Sequence, residues 1–254
     1  MNLPIQTPNI SWQLFLPQID SRLSLWSRNR GGLEQRWPVL MRSETLRRAG
    51  YFDSFPQLLM TASFCPDPEN APEIVAASGW CLSPAVCYHA YAGLEGQTLA
   101  KGVKLSASGS CFRHEEPTEL QAGRRQVEFT MRELILVGAK DWIEHELTGV
   151  REEIHQLAID YGLSGTWQPA SDPFFLPKAK GKACAQKLLE TKWEYCLRDG
   201  LAIASINRHG DFFGKRFSIR LPDGNPAHSA CIAFGLERWA SQSTISMKHH
   251  DHHH

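Results

Sequence analysis

Arginines set among carboxylates are the first sign of chemistry in this chain. The stretch CFRHEEPTELQAGRRQVEFTMRE, residues 111–133, places Arg113, Arg124 and Arg125 beside several glutamates on a frame of alternating apolar residues. The alternation reads as two antiparallel strands, CFRHEE and VEFTMRE, joined by the polar loop PTELQAG. Cys111, Arg113 and Glu115 then share one face, and Phe112 and His114 the other. A guanidinium held by neighbouring acids is preorganised to grip a phosphate or carboxylate through paired hydrogen bonds, as a solvated lysine is not. Taken alone, the segment fits an exposed hairpin with alternating surface charges equally well. A second stretch, GNPAHSACIAFGLERWA, residues 224–240, runs a strand of small residues directly into Gly-Leu-Glu-Arg.

The elements that must position these residues follow from periodicity. A helix opens the chain. In RWPVLMRSETLRRAG a short apolar strand is broken by Pro38, and a helix follows with Ser43 as N-cap and Gly50 as its stop. EIVAASGWCLSP, GVKLSASGSCFRH and RRQVEFTMRELILVG read as strands. Residues 140–163 read as one helix, with Trp142, Ile143, Leu147, Val150, Ile154, Leu157 and Ala158 near helical period and Gly162 ending it. Strands return in KWEYCLRDGLAIASINRH, RFSIRL and SACIAFGLERW. The fold class is α+β with a mostly antiparallel sheet. The glycines of RNRGGLEQ follow no apolar strand and read as a surface turn rather than a nucleotide loop.

Composition narrows the partners. The 254 residues carry 27 basic and 27 acidic side chains, so the net charge is zero and no global field draws the chain to nucleic acid or an anionic membrane. No apolar run approaches the roughly 20 residues of a membrane-spanning helix. The N-terminus lacks the basic and apolar regions of a secretion signal, which points to the cytoplasm. Seven cysteines, an odd number in a chain of this size, do not form a disulfide framework; most suit a buried core and a few could ligate metal. Without repeat, linker or composition break, residues 1–245 read as a single domain, and the histidine-rich 246–254 as a tag remnant or disordered tail.

The mid-chain Arg-x-Glu hairpin and the late Gly-x-Glu-Arg junction resemble motifs 2 and 3 of the class II aminoacyl-tRNA synthetases, with RWPVLMRSETLRRAG as a loose motif 1. The ordered set LRRAGYFDSFPQLL, LSPAVCYHAY, CFRHEE, FTMRE, ASDPFF, ASINRHGDFFGKRFSIR and AHSACIAFGLER is most similar to the amino acid:[carrier protein] ligases, truncated homologues of the seryl-tRNA synthetase catalytic core. The resemblance runs from about Glu34 to Trp239 and implies an antiparallel sheet flanked by helices. It also implies ATP-dependent activation of a small amino acid, glycine or alanine in class, as the aminoacyl-adenylate. The acceptor would be the phosphopantetheine thiol of an acidic carrier protein. A non-catalytic paralogue acting as a binding module and a reduced tRNA synthetase are the alternatives.

Site roles carry over by the same resemblance. Arg113 would contact the α-phosphate, Glu115 the adenine amino group, and Arg124 or Arg125 the γ-phosphate. Phe129 would lie under adenine and Arg238 over it. Glu194 would help hold the Mg2+ of ATP, although Leu201 stands where seryl enzymes carry a second metal-binding glutamate. Asp172, Ser205 and Asn207 would line the amino-acid pocket. Cys87, Glu133 and Cys231 would hold Zn2+, leaving a fourth position for the substrate amino group. Adenylation by this route needs no protein base, so His209 and His228 take structural or outer-shell roles. The basic run PKAKGKACAQKLLETK, residues 177–192, is a candidate docking segment for the carrier. Roughly 30 residues stand where seryl enzymes have their tRNA-gripping arm, so tRNA is an improbable acceptor. A homodimer built on motif 1 is expected, with little helix after Arg238.

Overall fold

A computed structural model describes residues 14–64, 76–172 and 189–243. The histidine-rich tail and residues 177–188 of the candidate docking segment lie outside the described residues.

A seven-stranded sheet organises the chain. Its strands are β1 (Leu33–Gln35), β5 (Val103–Phe112), β6 (Glu128–Gly138), β10 (His228–Gly235), β9 (Ala202–Gly210), β8 (Lys192–Leu197) and β7 (Gly165–Pro169), in that spatial order. Only the β1–β5 pair is parallel; the remaining neighbours are antiparallel. A small second sheet pairs β2 (Leu40–Arg42), β4 (Ala76–Leu82) and β3 (Thr61–Phe64), in the order β2-β4-β3.

Period-two alternation gives the large sheet two faces of opposite character. On one, Leu134, Leu136, Ile206, Ala230, Ile232 and Phe234 are buried in the main core. Helices cover this face: α1 (Leu16–Asn29) through Ile19, Leu23 and Trp26, and α5 (Lys140–Glu146) through Ile143. The others are α6 (Val150–Asp160), through Val150, Ile154 and Leu157, and α8 (Leu236–Gln242), through Leu236 and Trp239. Four short helices complete the described elements on other parts of the fold: α2 (Ser43–Arg48), α3 (Tyr51–Ser54), α4 (Cys87–Gly93) and α7 (Phe212–Arg216). Among the described residues no helix is long and apolar enough to cross a membrane.

Several expectations from sequence need correction. Residues 140–163 form two helices, because Gly149 takes φ +76°, a left-handed conformation that interrupts the ladder and opens α6. Gly162, at φ +70°, does end the second helix. RFSIRL is no strand: its arginine ends α7, and Arg220 alone makes isolated bridges, to Thr98 and Pro226. Packing explains the change, since Phe213 and Phe217, four apart, both face Tyr91, with the Phe213 ring stacked on it at 4.0 Å. Gly214 allows that turn to press on the chain, because a Cβ there would collide with the backbone of Ala227. Ser43 is the first residue inside α2, the N-cap being Arg42 without a side-chain cap. Gly50, at φ +72°, follows that helix as expected. RNRGGLEQ is a turn only in part: Gly31 takes φ +85° and the Gly32 N–H returns to the Ser27 carbonyl at 2.8 Å, but Leu33–Gln35 form β1 and pair with β5.

One polar contact crosses the helical face. Arg132 is 3% exposed and donates to Asp20 of α1 at 2.6 and 2.9 Å, to Glu34 of β1 at 2.8 and 3.0 Å, and to Ser106 Oγ at 3.0 Å. It ties the first helix and the edge strand to the sheet. Replacing it by Met should leave both carboxylates without their cation and lower stability by about 1–3 kcal/mol. Urea unfolding checks this, with the midpoint expected to fall at unchanged slope.

Candidate active site

The opposite face of the sheet is the floor of an open cleft of about 1460 Å³, and all thirteen site residues expected from sequence line it. Register explains the convergence. In one row Lys192 on β8 faces Asn207 on β9, which faces Cys231 on β10. In the next, Glu194 faces Ser205, Ser205 faces Ala233, and Ala233 faces Glu133 on β6. Beyond lie Met131 opposite Gly235, then Phe129 opposite Cys111. Small residues at Ala233 and Gly235 keep the middle of the floor low.

At one end, Cys87 at the start of α4 meets Glu133 and Cys231. Their ligand atoms all lie within 4.8 Å of one another, and all three residues are buried. Glu133 Oε1 accepts the Val86 N–H at 3.1 Å, while Oε2 has no partner among the described residues. Burial pushes the Glu133 carboxyl up to about 8, with the negative Cys231 as a further cause. Cys231 is held well below the ordinary thiol value by its hydrogen bond from Cys87, with His209 and Asn207 assisting. Cys87 is pushed correspondingly up by that same bond and by burial. The pocket by itself therefore favours a single negative charge. Three acidic donors converging in a dry site with one orphaned oxygen fit a divalent cation, and two sulfurs with one carboxylate suit zinc with one position open.

The hairpin supplies the other end. Arg113 donates from Nε to the Pro84 carbonyl at 3.1 Å, and its guanidinium lies 5.0 Å over the Phe129 ring. Arg125 bridges Glu115 at 3.0 Å and Glu119 at 2.6 Å, whereas Arg124 pairs with Asp199 in the turn after β8. Arg238 donates from Nε to the Arg124 carbonyl at 2.8 Å and from Nη1 to the Ala202 carbonyl at 2.7 Å. Both bonds lie in the guanidinium plane, so its flat faces stay available for stacking. Glu237 accepts the Thr130 N–H at 2.8 Å, and Ser241 donates to the Gly123 carbonyl at 3.0 Å, so α8 and the hairpin loop are clasped together.

Between the two ends, Lys192 contacts Asp172 at 2.6 Å and Glu194 at 3.0 Å. This lysine was read as the last residue of the candidate docking run, but it is nearly buried and faces the cleft. The period-two spacing of Lys192 and Glu194 in KWEYC was the signal that could have found it. His209 also lines the cleft, beside Cys231; His228 does not. Leu201 lies on the cleft wall as a mostly buried apolar residue and offers no carboxylate.

No protein-family model matches the chain. Two characterised proteins of Bradyrhizobium diazoefficiens do, the amino acid–[acyl-carrier-protein] ligases 1 and 2. They are 32% and 33% identical over 228 residues, covering 81% of this chain and 68% and 67% of theirs. The chain belongs to the amino acid:[carrier protein] ligase family. Its fold is that of the class II synthetases. A crystal structure of M. kandleri SerRS, in complex with A. aeolicus tRNASec, aligns with TM-score 0.77 at 19% identity, over 92% of this chain and 51% of that one. The antiparallel sheet flanked by helices described above is thus a class II synthetase-type fold in a chain of the ligase family.

Without metal, a carboxyl raised at Glu133 contributes stability that is complete below the ordinary carboxylate range and is lost as pH rises through about 8. Chelator-treated protein should therefore melt at progressively lower temperature between pH 5 and pH 9, as ~4 units span both pKa values. Glu133→Gln should flatten that profile, as followed by thermal unfolding across the pH series.

Proposed function

We propose that residues 1–245 form one catalytic domain that activates a small amino acid with Mg2+-ATP and passes it to the phosphopantetheine thiol of a carrier protein. The observation that carries this reading is the meeting, on one face of one sheet, of the Cys87–Glu133–Cys231 cluster and the Arg113 hairpin. The names of the Bradyrhizobium relatives support a carrier protein as acceptor.

In the first step a carboxylate oxygen of the amino acid attacks the α-phosphorus of ATP and pyrophosphate leaves. The attacking group is already ionised, so the protein's work is positioning and charge stabilisation. Arg113 is anchored by Pro84 and supported on Phe129, which aims it at the α-phosphate, where negative charge grows. Adenine would sit between Phe129 and the open face of Arg238, with Glu115 at its amino group. Arg125, held by Glu115 and Glu119, is available to the γ-phosphate; Arg124 would serve through its pairing with Asp199 as a brace or as a second contact. Glu194 would meet the Mg2+ of ATP.

Zn2+ held by Cys87, Glu133 and Cys231 would supply a Lewis-acidic anchor for the neutral α-amino group. Asn207 donates to Ser205 Oγ at 3.1 Å and to Cys231 Sγ at 3.4 Å, and forms with Ser205 and Asp172 the wall beside that anchor. Phe213 and His209 line the cleft on the same side, and bulky rings there are compatible with a small amino acid of the glycine or alanine class. In the second step the carrier's thiolate attacks the carbonyl carbon of the mixed anhydride and AMP leaves, a displacement that needs no elaborate base. Exposed Leu33, Val39 and Leu40 around β1 and β2 support a homodimer through this edge.

Amino-acid-dependent ATP–pyrophosphate exchange over a panel of amino acids, followed by mass measurement of the holo carrier, tests the proposal. Absence of exchange with every amino acid would refute the enzyme reading, and loading of tRNA instead of carrier would refute the acceptor. Arg113→Ala should lower exchange by about 10²–10³-fold. Cys87→Ser and Cys231→Ser should lose bound zinc and activity together; activity lost with zinc retained would mean that other residues hold the metal.

A further inference from the structure

His209 was expected in a structural or outer-shell role with no partner named, and the structure sets it against the cysteine cluster. Its Nε2 lies 3.9 Å from Cys231 Sγ, and its Nδ1 lies 3.3 Å from both the Tyr91 hydroxyl and the Ser229 hydroxyl. Tyr91 and Ser229 are buried, and the imidazole is held edge-on to Phe213 at 4.9 Å. A thiolate sulfur can only accept, so Nε2 must carry the proton. In the neutral ring Nδ1 is then an acceptor with a single lone pair, and a hydroxyl proton from Tyr91 or Ser229, themselves hydrogen-bonded to each other, satisfies it. Cys231 receives a second N–H from Asn207 at 3.4 Å, whereas no comparable nitrogen donor is found at Cys87 among the described residues.

We propose that His209, fixed in one tautomer by Tyr91 and Ser229, is a positioning residue that hydrogen-bonds the Cys231 thiolate and thereby sets how strongly the metal binds the substrate amine. The inference rests on the zinc reading of the Cys87–Glu133–Cys231 cluster. An N–H donor draws electron density off the sulfur, so the sulfur gives less to the metal and the metal keeps more of its Lewis acidity for the fourth ligand. The two thiolates are then unequal: Cys87 is the full donor and Cys231 the attenuated one. The donor also fixes the orientation of the Cys231 side chain toward the cluster, which strengthens metal affinity.

The test uses the full-length protein loaded with Co2+, whose sulfur-to-metal charge-transfer band reports thiolate donation directly. His209→Phe keeps a ring against Phe213 and removes both nitrogens. It should move the band to longer wavelength, weaken zinc in chelator competition by about 10–100-fold, and raise the amino-acid KM while the MgATP KM stays put. His209→Gln, which retains an N–H donor, should restore most of the band position. If His209→Phe does not fold, the pair Tyr91→Phe with Ser229→Ala leaves the imidazole in place, frees its tautomer, and should shift the band in the same direction. A band and a zinc affinity unmoved in metal-replete variants overturn this inference alone. A wild-type protein that takes up neither Co2+ nor Zn2+ overturns the metal reading beneath it as well.

Discussion

Everything in the site depends on side-chain alternation across a sheet that is apolar on one face and chemically active on the other. Leu134 sits beside Glu133, Ile232 beside Cys231 and Ile206 beside Asn207; in each pair the first is buried in the helix-covered core and the second lines the cleft. A one-residue slip of any strand would drive carboxylate or thiol into that core and turn leucine into the cleft. The apolar face therefore enforces the register that the polar face needs. Helix packing over α1, α5 and α6 does not touch the chemistry, and α8 joins it through Leu236 and Trp239 while carrying Arg238; together they hold β6, β9 and β10 to the alignment on which Glu133, Asn207 and Cys231 depend.

Charge balance is the second organising constraint. The cleft collects arginines toward the hairpin and acids toward the cysteines, and the described structure pairs most of them locally. Arg125 lies with Glu115 and Glu119, Arg124 with Asp199, and Lys192 with Asp172 and Glu194. These contacts hold flexible side chains near the geometry in which ligands would meet them, at the cost of having to be exchanged when phosphate or magnesium arrives. Such preorganisation is most useful where a reaction proceeds by positioning rather than by proton transfer. The cysteine end differs, since its own acids oppose one another and no ion pair relieves them among the described residues.

The five long strands β5, β6, β8, β9 and β10 were legible because their alternation is strong, as in EFTMRELILVG, and because turn residues separate them; the short edge strands β1 and β7 were not. Residues 140–163 were misread because the apolar period continues across Gly149, so only the glycine's backbone freedom distinguishes two helices from one. RFSIRL carries strand-like alternation, but aromatic packing onto Tyr91 decides its shape, and that contact is invisible along the chain. Individual residues such as Cys231 or Glu133 had no signal of their own beyond a core cysteine and one more acid. Their convergence became legible through the ordered motifs. Lys192 was missed because it closes a run of lysines that begins at Lys178, whereas its partners in space, Asp172 and Glu194, are acidic. His209 was read as an outer-shell group, but its pairing with Tyr91 and Ser229 needed the fold.

The way Arg238 is held has a consequence for how this cleft could change over time. Its in-plane donors end on main-chain oxygens, at positions 124 and 202, and not on side chains. Nearly any residue supplies the same carbonyl at those two places, so substitutions there leave the guanidinium plane where it is. The arginine itself has no such latitude, because lysine offers neither the fork nor the flat face. Tolerance and intolerance are thereby separated residue by residue. The loop bearing Arg124 can drift in sequence, adjusting what it reaches, while the surface that a base would rest on stays in register.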